Sequence, residues 1–180
     1  MKRSDIKQMP EYFSKYILQV EDIELDAAFQ KNLNAAAGLD IVALESLKDK
    51  TYEEGKWTVR DIFQHIIDTE RVMAYRALRY ARKDGVVPQS YDQDLFAANA
   101  RAGQRPLKDI IEEMKLVHQS SCLLFRSFDK ETLQATGICW KVEMSVLAMG
   151  FLITGHFIHH MNAIKEKYLP MAKIQTERTA

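Results

Sequence analysis

The sequence predicts an all-α fold, a four-helix bundle with a long connection between its second and third helices. Three observations carry this. Four long stretches of the 180-residue chain set apolar residues at the helical period. Capping residues and glycine or proline stops bracket them. No run alternates apolar and polar residues as a half-buried strand does, and no internal repeat or low-complexity segment appears.

Residues 1–22 hold Pro10 and the aromatics Tyr12, Phe13 and Tyr16, and are expected as a lead-in with at most a helical turn, packed on the outside of the bundle. The first helix starts near Asp22 and carries Ile23, Ala27, Leu33, Ala36, Ile41, Leu44 and Leu47, with a bend expected at Gly38. A polar loop, residues 48–56, follows. The second helix opens on Thr58 as cap, with the Asp61 carboxylate three residues on and Trp57 placed to staple against Ile62. It runs to about Lys83 and stops at Gly85. Residues 85–104 form the long connection; loops of this length in a small domain are often functional. Pro106 suits the first turn of the third helix, which extends to about Phe128. The fourth covers about Val142–Leu169 and ends at Pro170. The expected organisation is one domain, the bundle spanning about 23–169, with a polar, frayed tail over 170–180.

Composition narrows the function. Twenty-five Lys and Arg balance 25 Asp and Glu, so nothing draws the chain toward nucleic acid or an anionic membrane. No stretch is long and apolar enough for a transmembrane helix or a signal peptide. Cys122 and Cys139 lack metal-finger or redox spacing, and read as buried thiols in a reducing compartment. A cytoplasmic protein is expected.

The chemistry concentrates in His156 and His160. Four residues advance a helix just over one turn, so both imidazoles leave the same face about 5–6 Å apart at Cβ. They interrupt the apolar stripe of Val146, Met149, Ile153, Phe157, Ile164 and Tyr168. An unpaired buried polar group costs roughly 1–3 kcal/mol, and a shared cation satisfies two at once. His65, on the core side of the second helix, is the candidate third ligand. Three histidines with one open position suit catalytic zinc; nickel, cobalt or iron accept the same donors. The alternative is three core histidines satisfied by each other, by water or by neighbouring side chains.

The run Lys56-Trp57-Thr58-Val59-Arg60-Asp61-Ile62-Phe63-Gln64-His65, with Glu70 and Tyr75-Arg76 downstream and Gly155-His156-Phe157-Ile158-His159-His160 near the end, resembles the DinB-like superfamily. That superfamily includes YfiT-type metal-dependent hydrolases and bacillithiol S-transferases. The resemblance spans about residues 23–169. It implies a four-helix bundle of DinB/YfiT type, a divalent metal such as zinc or nickel held by His65, His156 and His160, a low-molecular-weight thiol as a possible co-substrate, and a homodimer. It does not imply one reaction, because function resides in the site and not in the fold.

Other residues weigh less. Asp68, one turn from His65, can accept from its second ring nitrogen; Glu70 better suits an Arg or Lys on a neighbouring helix, and a solvated face explains both. His159 points about 100° away from His160 and reads as a boundary histidine bonded to a carbonyl or water. His118 lies among polar neighbours and reads as surface or as support for the site. Arg76 and Arg79 face the long connection, either to hold an anionic substrate group or, as favoured, to pair with Asp92 and Asp94. The expected function is therefore a metal-dependent enzyme acting on a small molecule by thiol transfer or hydrolysis. A stress-related binding or dimerisation module, with structural or no metal, is the alternative.

Overall fold

The computed structural model describes residues 1–172. Its bundle consists of α2 (Leu25–Ala37), α4 (Val59–Ala81), α6 (Leu107–Arg126) and α8 (Val146–Ala163). Helices α2 and α4 each pack against both α6 and α8, so α2 stands diagonally from α4, and α6 from α8. The short helix α3 (Ile41–Ser46) lies on the first diagonal crossing. The second carries α7 (Lys130–Leu133) and a hairpin, β1 (Thr136–Cys139) and β2 (Val142–Ser145). The long connection between α4 and α6 contains α5 (Gln93–Ala100).

The start of α4 follows from sequence. The Thr58 hydroxyl accepts from the Asp61 N–H at 3.2 Å, and the Asp61 carboxylate accepts from the Thr58 N–H at 3.0 Å. Trp57 and Ile62 join the same apolar cluster. This closed cap fixes the first turn of α4, and His65 projects inward just beyond it.

Four expectations need correction. The first helix is two: α2 ends at Gly38, and Asp40 caps α3 by accepting from the Ala43 N–H. The fourth helix starts at Val146 and not at Val142, because residues 136–145 form an antiparallel hairpin, with Cys139 opposite Val142 and Trp140 turning at φ 58°. Its strands of four residues are too short to show alternation. A Cβ at Gly137 would come within 2.2 Å of the Tyr80 ring, and the Tyr80 hydroxyl donates to Ile138 O at 2.7 Å, so the hairpin lies flat on α4.

The lead-in is not external. Phe13, Ile17 and Val20 are buried in the core, and α1 (Ser14–Ile17) packs on α8. Gly155 permits this: a Cβ there would lie 2.1 Å from Tyr16 O. The last helix passes through Pro170 instead of stopping. A π-helical turn over Ile164–Tyr168 follows α8, and residues 169–172 are helical again. The wider turn accommodates a proline that lacks an N–H and crowds the preceding carbonyls. The expected frayed tail lies, beyond residue 172, outside the described residues.

Candidate metal centre

His65 leaves α4 about two turns beyond the Thr58 cap, and His156 and His160 leave α8 from one face. His65 Nε2 lies 3.1 Å from His156 Nε2, and His160 Nε2 lies 3.0 Å from the same atom. One ligand atom from each of the three falls within 4.8 Å of the others. The rings stand edge to face, 4.5–5.0 Å between centroids. A single proton on His156 Nε2 can serve only one neighbour, so a neutral cluster turns unshared lone pairs toward a common point. A cation at that point satisfies all three.

Burial holds the cluster neutral. His65 is pushed down to about 4, chiefly by desolvation and then by the charge on His159. His160 falls to about 3 by burial, with His65 and His159 adding repulsion. His156 lies well below its ordinary range for the same first reason, with His160, His65 and His159 following. Neutral imidazole is the ligating form, so the site is in its metal-accepting protonation state at neutral pH.

Neighbouring groups orient the rings. The Thr69 hydroxyl lies 3.4 Å from His65 Nδ1 and 2.8 Å from the Tyr91 hydroxyl. A proton on Nδ1 finds its acceptor in Thr69, which leaves the Nε2 lone pair for the cluster. The Trp57 ring covers His65 at 4.7 Å, and Tyr16 meets His156 edge-on at 5.4 Å. From sequence, Tyr16 is placed only in the lead-in segment, and Thr69 and Tyr91 carry no assigned role at the centre. Thr69, one turn after His65, was within reach of the helical spacing; the other two come from distant segments.

A cavity of about 580 Å³ opens beside the cluster, lined by His156, Thr69, Arg76, Tyr16, Tyr91 and Trp140 among others. This is the size of a small-molecule pocket. A second hollow of about 610 Å³ adjoins His160 and His159, lined also by Lys56 and Lys167.

The remaining candidates are placed differently from expectation. Asp68 does not support His65; it accepts from the Gln64 amide at 3.0 Å and faces a groove shared with Arg105. His159 is exposed, and its Nδ1 meets the Gln19 amide nitrogen at 3.3 Å. Asp92 lines the first cavity, but its carboxylate caps α5, accepting from the Asp94 and Leu95 N–H groups. The favoured Arg76 ion pair is therefore not made: Arg76 donates to Gln89 O at 2.8 Å and to the Cys139 sulfur at 3.3 Å. Arg79 pairs with Asp84 instead. His118 is not at the surface but 2 % exposed, against Phe29 and Phe157. Its Nδ1 lies 2.8 Å from the Glu70 carboxylate, so Glu70 is neither solvated nor paired with an Arg or Lys, but with a histidine of α6. Cys122 and Cys139 are buried free thiols, as expected.

Fold and cluster together define a helical-bundle protein with a three-histidine centre at the mouth of a pocket. The DinB superfamily profile matches residues 13–164, and the chain belongs to that superfamily. A solved structure of YfiT from Bacillus subtilis, described as a probable metal-dependent hydrolase with an unusual four-helix bundle topology, superposes with a TM-score of 0.67. The two are 18 % identical, over 89 % of this chain and 88 % of that one. No curated protein sequence matches.

Proposed function

We propose that this chain is a metal-dependent enzyme in which His65, His156 and His160 hold one divalent cation, zinc, nickel or similar, and the adjoining cavity takes a small-molecule substrate. The observation that carries the reading is the convergence of three imidazoles, with the Nε2 atoms of His65 and His160 both at hydrogen-bond distance from His156 Nε2, in a cluster held neutral by burial and edged by a pocket. When bound, such a cation supplies Lewis-acid chemistry and lowers the pKa of a coordinated water or thiol. The residues contribute the rest. Thr69 holds the His65 tautomer, Trp57 and Tyr16 exclude water from two sides, and Tyr91 and Trp140 wall the substrate cavity. Hydrolysis agrees with the description of YfiT.

Transfer to a low-molecular-weight thiol is the second reading, and a specific observation favours it. Among the described residues no carboxylate bonds to any of the three histidines: Asp68 is held by Gln64, and Glu70 by His118. A thiol deprotonated on binding needs no such base. Incubation of zinc- or nickel-loaded protein with aryl esters and amides reads hydrolysis. Incubation with a small thiol and a chloronitroarene reads transfer. Turnover in either, abolished by chelation and in His160→Ala, supports the enzyme; silence in both supports a binding module.

A further inference from the structure

Arg76 is a buried cation without an acid. It is 4 % exposed, and among the described residues no carboxylate pairs with it. Its guanidinium gives one N–H to Gln89 O and contacts the sulfurs of Cys139 and Met73, so donors of the planar fork remain. The acid that lines the same cavity, Asp92, spends its carboxylate on the α5 cap. An unpaired buried charge is costly, and a protein keeps one where a ligand completes it.

Its position relates it to the histidines. Arg76 follows His65 by eleven residues on α4, which brings it back to the same helix face about 16 Å along the axis. Thr69 and Met73 lie between them on that face, and all three line the cavity that His156 closes at its other end. Helical side chains lean toward the N-terminus, so the guanidinium reaches back toward the cluster. The intervening walls are aromatic: Tyr12, Tyr16, Tyr91 and Trp140.

We propose that Arg76 anchors a substrate carboxylate, so that the cavity takes an elongated monoanionic acid with an apolar or aromatic middle, its far end at the histidine cluster. A carboxylate matches the fork of a guanidinium in shape and cancels its single charge. A phosphate dianion leaves an excess negative charge beside Asp92, in a cavity where no second Lys or Arg among the described residues lines the wall. The inference rests on the reading of this cavity as the substrate site, but not on a bound cation.

The test is run on chelator-treated protein, so that no cation at the histidines takes up the acid. Binding of 4-phenylbutanoate and of its neutral isostere 4-phenylbutanamide is followed by ligand-observed NMR. The acid is expected to bind about tenfold or more tighter than the amide. The preference is expected to vanish in Arg76→Gln and to survive in part in Arg76→Lys, which keeps the charge and loses the fork. Equal binding of acid and amide to the wild-type protein overturns the proposal, as does failure of the acid to bind at millimolar concentration. So does a preference that persists undiminished in a folded Arg76→Gln. If Arg76→Gln does not fold, the wild-type comparison and Arg76→Lys still decide. Cation content, measured separately on untreated protein, tests the histidine cluster; loss of that reading leaves the acid preference standing or falling by itself.

Discussion

His65 and His156, 91 residues apart in the chain, meet Nε2 to Nε2 at 3.1 Å inside the bundle. Two neutral imidazoles at this distance share one hydrogen bond at most, and His160 presents a third nitrogen to the same atom. The pairing ties α4 to α8, two helices already packed together, so the centre is built on rigid elements and not on loops.

The cluster makes the cation-free protein acid-sensitive. The folded-state pKa values of His65 and His160, about 4 and about 3, lie below the unfolded value of about 6.5. The unfolded chain therefore binds more protons between these limits. Stability is complete above about pH 6.5 and falls with decreasing pH until the folded-state values are reached, by about 1.4 kcal/mol per pH unit for each histidine. Thermal melts of chelator-treated protein from pH 8 to pH 5 are expected to show this decline, and His160→Ala a shallower one. Ordinary carboxylates titrate too low to produce it.

The His118–Glu70 pair is expected to be structural. Both side chains are 3 % exposed, and His118 Nε2 is buried without a partner among the described residues. Removing one member of a buried pair typically costs about 3–5 kcal/mol. Glu70→Ala is expected to lose stability on that scale in urea denaturation while retaining the cation content of the wild type. A coincident loss of cation would instead tie the pair to the centre.

Gly155 controls the seating of the lead-in. A methyl group there meets the Tyr16 carbonyl at 2.1 Å, and this contact is backbone, which cannot rotate away. Gly155→Ala is expected to cost about 1–3 kcal/mol or more, as overpacking does. It is also expected to lift Tyr16 from His156 and His159, which increased amide hydrogen exchange over residues 13–20 would report. Gly150→Ala meets only the Leu25 and Phe125 side chains and should be milder.

Much of the centre was legible because its signals are local. A cap at Thr58 fixes where α4 begins, hence which face His65 takes, and the four-residue spacing of His156 and His160 is a property of any helix. What was not legible depends on contacts between distant segments. His118 stands between Val117 and Gln119, and only its meeting with Glu70, 48 residues away, shows that its face is interior. Tyr16 reaches His156 because a glycine on α8 makes room for a helix of four residues, too short to show a period. Arg76 and Asp92 have complementary charges, but a cap satisfies the aspartate locally before any pair can form. The hairpin was hidden by its length, and the helix through Pro170 by a π-turn that no local rule predicts.

The central claim is that three imidazoles hold one cation. Elemental analysis of protein purified without an affinity tag and equilibrated with zinc or nickel tests it most directly. One cation per chain is expected in the wild-type protein, with its loss in His65→Ala and in His160→Ala. A wild-type protein that retains no stoichiometric cation, or a His160→Ala protein that retains it in full, would contradict the account.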